Sequence, residues 1–265
     1  VNEIIWCYGG GSRPKKHFQR KHDAIFWYAK GKDYIFNPQY RPYTAGTLMR
    51  GLTQVKGDRY HLREEGALLQ DWWTDINKIL SPTAEENLKY PTQKPRELLR
   101  RLIASASSPG STVLDCFAGS ATTAEVCNEL GRKWIMCDCS ALALQTAKHR
   151  LISSTSPPFS VYYAGEPSYK AQVKVKVLLE DYDYKDNLLS IRIEQYNGSD
   201  NLNILDFWEV DWDYDGVFNS SVQFVKKGDR FRGHLPLNAI TLLPKDTNRR
   251  VAIKVYDLYT NCARE

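Results

Sequence analysis

Apolar positions recur along the chain with two different spacings, and the change between them falls near residue 166. In the first part, "NEIIWCY" from Asn2 and "HDAIFWYAK" from His22 read as strands. The "GGGSRPKKHFQRK" between them is too rich in glycine and base to be either element. "YIFNPQYRPYTAGTLMRGLTQVKGDRYHLREEG" is irregular and turn-rich, and predicts an exposed basic insertion at about residues 31–66. In "YPTQKPRELLRRLIASASSPG", a helix opens at Pro-Arg-Glu and carries Leu98, Leu99, Leu102 and Ile103 on one face. It ends before Pro109-Gly110. Then "TVLDCF" reads as a short buried strand, "TTAEVCNELG" as a helix closed by Gly131, "KWIMCDCS" as a second strand and "ALALQTAKHRLI" as a second helix. That order is a βαβ unit with parallel strands, and "SPPFSVYYAG" reads as the entry to a third strand.

From about Glu166 the pattern becomes period two. "QVKVKVLLEDYDY", "NLLSIRIEQYN", "LDFWEVDWDYDG", "SVQFV" and "RVAIKVYDLYTN" alternate polar and apolar residues, with turn signals between them. The expected fold is therefore α/β: a partial Rossmann-like sheet over residues 1–165, followed by an all-β, sandwich-like domain over 166–265.

Composition is that of a soluble globular protein, 42% hydrophobic and 25% charged, with no apolar run of bilayer-spanning length and no signal peptide. A cytoplasmic location is expected. The chain opens on Val1 and so reads as a processed product or a fragment. Charge changes the picture more. Residues 1–63 hold twelve Lys/Arg against four Asp/Glu, interleaved with Trp6, Tyr8, Phe18, Trp27, Tyr28, Tyr34, Tyr40 and Tyr43. Bases among aromatic platforms suit a nucleic-acid groove, and equally a solvated face over an aromatic core. Arg13, Lys15, Lys16, Arg20 and Lys21 are the candidate DNA contacts. The six cysteines contain no C-x-x-C pair, and Cys116, Cys127, Cys137 and Cys139 lie on apolar segments. They are expected to be small buried hydrophobes rather than zinc ligands. The five histidines have no ligand spacing, so no metal is expected. In "DWDYDG", Asp211, Asp213 and Asp215 begin like a calcium loop, but Val222 stands where its bidentate Glu belongs.

The chemistry concentrates in "LDCFAGSATTAEVCNELGRKWIMCDCS". A nucleoside triphosphate needs a second glycine and a lysine in the turn, and Asp115 would repel its phosphates. A dinucleotide needs G-x-G-x-x-G, where this chain has Gly119, Ala121 and Ala124. S-adenosylmethionine (AdoMet) has no phosphate. Asp115 could face its ammonium or sulfonium, and Asp138 could accept from both ribose hydroxyls.

"YPTQKP" with its leucine helix, "SSPG–TVLD-F-GS-TT", "LGRKWI" and the following acid resemble the amino-group DNA methyltransferases, which methylate adenine N6 or cytosine N4. The resemblance is to the permuted group, including modification subunits of restriction systems, and covers about residues 2–165. It implies an AdoMet-dependent methyltransferase acting on double-stranded DNA, with a restriction or other partner subunit possible. Thr92, Lys94 and Pro95 would border the cofactor tail. Asp115, Phe117, Gly119, Ser120, Thr122 and Thr123 would form the cofactor turn, and Asp138 would hold the ribose. Ala121 departs from the family's second glycine and Cys116 from its usual proline. The family's catalytic Asp/Asn/Ser-Pro-Pro-aromatic tetrad is matched by Ser156-Pro157-Pro158-Phe159, but in the wrong place. The permuted order expects a D-P-P-Y-type motif upstream of Val1, so the isolated chain is expected to be inactive. The alternative is a non-catalytic AdoMet-fold module that binds nucleic acid or a partner.

Overall fold

A computed structural model describes residues 2–11, 15–52, 62–81, 84–154, 156–164, 175–182, 188–227, 233–242, 250–258 and 262–264. They divide into two compact units, residues 1–118 with 122–137, and residues 119–121 with 138–265.

The first unit holds β1 (Asn2–Cys7), β2 (His22–Trp27), β3 (Tyr40–Arg41), α1 (Ala45–Leu52), β4 (Ala67–Leu68), β5 (Trp72–Trp73), α2 (Arg96–Ala106), β6 (Thr112–Asp115), α3 (Thr122–Glu129) and β7 (Lys133–Met136). β1 pairs antiparallel with β2, Asn2 opposite Trp27 and Cys7 opposite His22, and parallel with β5. β6 and β7 pair in parallel across α3, as the βαβ reading expects.

The apolar face of α2 joins two clusters. Leu98 packs with Ile4, Trp6, Trp73 and Ile76, while Ile103 packs with Val126 and Cys127. Polar contacts fix the helix. Arg96 and Arg100 both reach Glu129 of α3, and Arg101 grips Asp75 through both guanidinium nitrogens at 2.9 and 2.6 Å.

The start of the expected basic insertion is tied down. Asn37 Nδ2 donates to the carbonyls of Ala104 and Ser107, and Asn37 N–H donates to Ser105 O. The last carbonyls of a helix have no partner within it, and Asn37 supplies bonds to two of those in α2 and a third to the residue that follows the helix. Residues 53–61 of the insertion lie outside the described residues.

The second unit holds α4 (Ala141–Ser153), β8 (Val175–Tyr182), β9 (Leu188–Tyr196), a 3-10 turn (Leu202–Ile204), β10 (Leu205–Asp211), β11 (Val222–Val225), β12 (Asn238–Leu242), β13 (Ala252–Asp257) and β14 (Cys262–Arg264). Two sheets, β11-β10-β13-β14 and β12-β9-β8, enclose one core of Val175, Ile191, Ile193, Tyr196, Leu205, Trp208, Val210, Ala239, Ile253 and Val255. This is the sandwich expected from the period-two pattern.

All seven residues of β10 are buried. Trp208 and Val210 face the core, whereas Phe207 and Glu209 face α4. Lys148 of α4 donates to Glu209 and to Tyr256 Oη, and lies over the Phe207 ring at 5.3 Å. Gln145 donates to Asp206 Oδ2 and to the Asp257 carbonyl. The helix expected to follow the second strand as part of the first domain thus packs on the β sheet, because its buried face is polar and matches the acids of β10.

Among the described residues 156–164, where the entry to a third strand is expected, no strand forms. Residues 156–164 are irregular, and the α4 end is closed by Ser154 N–H on Arg150 O and Ser156 N–H on Leu151 O.

Candidate cofactor site

In the first unit, β6 ends on Asp115, half-buried, and the chain turns directly into α3. Asp115 Oδ1 accepts the Phe117 N–H at 3.0 Å, and Oδ2 accepts the Thr123 hydroxyl at 2.6 Å. The carboxylate therefore braces its own turn, with one lone pair left on each oxygen. Thr122 and Thr123 are buried at the start of α3, whereas the Phe117 ring is 90% exposed.

In the second unit, Asp138 is exposed and uses both oxygens on backbone. Oδ2 accepts the Gly119 N–H at 2.8 Å and Oδ1 accepts the Ser140 N–H at 2.9 Å. Ser120 and Ala121 are buried, and Gly119 and Ala121 both have left-handed φ, 52° and 55°. The left-handed region is costly for a residue with a Cβ, which gives a physical reason for a glycine where this chain has Ala121.

Thr92, Lys94 and Pro95 precede α2 in the first unit. Thr92 has φ 61°, a genuine outlier for a β-branched residue. Such strain concentrates at functional sites. Pro95 accepts from the Leu98 N–H at the helix start. Lys94 lies over the Trp6 ring at 5.6 Å, with its Nζ 3.5 Å from Asp23. Asp23 also accepts the Tyr8 hydroxyl at 3.0 Å. Burial, and then this hydrogen bond, hold the Tyr8 phenol above its ordinary value, so it is a neutral donor at physiological pH. Trp6, Tyr8 and Asp23 were not singled out for this role from sequence, though Trp6 and Tyr8 stand two apart in "NEIIWCY", as side chains on one strand face do. Gln93 spans the same segment, accepting from Leu88 N–H and donating to Glu86 O.

Of the candidate DNA contacts, Lys15, Lys16 and Arg20 are exposed and Lys21 is half-buried; Arg13 lies outside the described residues. Lys21 lines an open cleft of about 450 Å³ with Tyr8, Gly9, Gln19, His22 and Asn77. Phe18 is fully exposed, and Phe26, Tyr28, Tyr34 and Phe36 are more than half exposed.

The expectation of buried cysteines holds for Cys127 alone among the four in this region. Cys116, Cys137 and Cys139 are exposed, because they follow the strand ends, where no described element covers them. Asp211 spends its carboxylate on the N–H groups of Asp213 and Asn219, and Asp215 on Val217 N–H, so these acids shape turns.

Comparison with known proteins adds four findings. The family model N6_N4_Mtase, described as DNA methylase, matches residues 1–149. The type II methyltransferase M1.MboII of Moraxella bovis is 32% identical over 152 residues, which are 53% of this chain and 58% of that protein. The DNA adenine methyltransferase YhdJ of Escherichia coli K12 is 31% identical over 153 residues, 57% of this chain and 51% of that protein. The crystal structure of an M1.HpyAVI–SAM complex aligns at 26% identity and a TM-score of 0.39, covering 57% of this chain and 61% of that one. The chain thus spans little more than half the length of these two curated relatives. With the family model covering more than half of its residues, the chain belongs to the N6_N4_Mtase family of DNA methylases.

Proposed function

We propose that this chain carries the AdoMet-binding part of a DNA methyltransferase that modifies adenine N6 or cytosine N4. The observation that supports it best is the pair of acids Asp115 and Asp138, each fixed by two hydrogen bonds, with no lysine in the turn at residues 116–121. That acceptor set fits AdoMet, which offers an ammonium and two ribose hydroxyls and no phosphate. When bound, AdoMet supplies an electrophilic methyl on a sulfonium. The chain's own residues bind and orient. Asp115 faces the amino-acid tail, Asp138 accepts from the ribose, and Gly119 lets the turn approach closely. Thr92, Lys94 and Pro95 border the tail, and the exposed Phe117 offers a ring for the adenine. Lys15, Lys16, Arg20 and Lys21, together with Arg13, contact DNA phosphates. In this reading the methyltransferase part extends to about residue 165 and an appended β domain follows. A restriction or other partner subunit and a cytoplasmic location are parts of the same proposal.

Calorimetric titration of the chain with AdoMet tests it. Saturable binding that Asp138→Ala weakens is expected; no binding by folded protein would favour the alternative, a module that binds nucleic acid or a partner without chemistry.

A further inference from the structure

Cys116 and Cys137 stand one step beyond the ends of β6 and β7. The parallel ladder pairs Leu114 with Ile135 and ends on Asp115 with Met136, and Cys116 and Cys137 are the next residue on each strand. Two hydrogen bonds keep the chains together there: Cys137 N–H to Asp115 O at 2.8 Å, and Ala118 N–H to Cys137 O at 2.9 Å. Adjacent strands lie about 4.8 Å apart, within the roughly 4.4–6.8 Å between Cα atoms that a disulfide spans. The faces also agree. Thr112, Leu114 and Cys116 are exposed on one strand, as are Lys133, Ile135 and Cys137 on the other, while the residues between them are half-buried. Both thiols are free and open to solvent on the same side. Cys127 is the contrast within this unit: burial pushes its thiol up to about 11.

We propose that Cys116 and Cys137 form a vicinal dithiol that closes to a disulfide with a small disulfide oxidant, and that closure weakens cofactor binding. With glutathione disulfide, one cysteine thiolate attacks a glutathione sulfur, the S–S bond breaks and one glutathione leaves. The second cysteine thiolate then attacks the mixed disulfide, forming Cys116–Cys137 and releasing a second glutathione. The protein loses two electrons and two protons, and both appear in two reduced glutathiones. Cys116 directly follows Asp115 and Cys137 directly precedes Asp138, so the new bond restrains both acids. This coupling rests on the AdoMet reading above.

Non-reducing tryptic mapping of the glutathione-oxidised chain tests the pair, since Arg132 and Lys133 separate the two cysteines. The expected product joins residues 102–132 to 134–148 through Cys116 and Cys137. It is lost in Cys116→Ser and Cys137→Ser and kept in Cys127→Ser and Cys139→Ser. Phenylarsine oxide, which bridges neighbouring thiols, should bind the reduced chain one to one and fail on the same two variants. No link, or a link through Cys127 or Cys139, overturns the dithiol. Titration with AdoMet should show at least tenfold weaker binding after oxidation, and equal affinity in both forms overturns the coupling. If the reduced chain does not bind AdoMet, the cofactor reading and the coupling fall together, while the mapping still decides the dithiol.

Discussion

The Gly119 N–H donates to Asp138 Oδ2 at 2.8 Å, so the acid assigned to a ribose also clasps the turn that approaches the cofactor. Asp138→Ala removes the clasp and the ribose acceptor together. AdoMet affinity should fall ten- to a hundredfold, the equivalent of about 1.5–3 kcal/mol. Asp138→Asn keeps one acceptor oxygen and should lose less. Calorimetry measures both, and unchanged affinity in the alanine variant would place the ribose elsewhere.

Ala121 is fully buried with φ 55°. Ala121→Gly removes a left-handed penalty of about 1–2 kcal/mol but adds unfolded-chain entropy of roughly 0.4–1 kcal/mol. The net expectation is a melting temperature unchanged or raised by up to about 5 °C. Ala121→Val places a branched side chain in the same backbone and the same closed space, and should lower it by several degrees. A lower melting temperature for the glycine variant would show that the buried methyl matters more than the strain.

Lys148 is buried against Glu209. Lys148→Ala leaves that carboxylate without its cation, and should destabilise the β unit by about 3 kcal/mol or more. Lys148→Met combined with Glu209→Leu should recover most of the loss. By the same logic residues 138–265 should unfold in one sharp transition, whereas 166–265, stripped of α4, should melt lower because Phe207 and the acids of β10 are uncovered. Equal melting of the two fragments would mean that α4 contributes nothing to the sheet.

The Arg101 hydrogen bonds hold the Asp75 carboxyl below its ordinary value of 3.8. The stability this gives is present above the unfolded-state value and is lost as pH falls through the lower folded value. Asp75 is half exposed, so solvent screening keeps the effect small. Asp75→Asn should lower the melting temperature slightly at pH 6, and the gap should close toward pH 3.

Ser156-Pro157-Pro158-Phe159 lies on irregular chain after α4 rather than at a strand end. The chain as it stands should therefore not transfer tritiated methyl from AdoMet to mixed-sequence duplex. Transfer that Pro157→Ala and Phe159→Ala abolish would make this tetrad the active site.

What the sequence by itself determined is what local pattern controls. The apolar face of α2, the β6–α3–β7 unit and the period-two strands of β9, β10 and β13 follow from side-chain spacing along a helix or strand. Asp115 and Asp138 were legible for the same reason: each comes at the end of a short apolar strand pattern with a helix pattern after it. Tertiary structure decided the rest. Spacing puts Gln145, Lys148 and His149 on a helix but does not say which acids lie opposite, and it was Asp206 and Glu209, more than fifty residues away, with the backbone carbonyl of Asp257, that drew α4 onto the β sheet. Likewise "CF" and "CDC" look apolar in sequence, yet Cys116 and Cys137 emerge on an uncovered face, since burial is a property of the neighbours that pack against a residue and not of the residue itself.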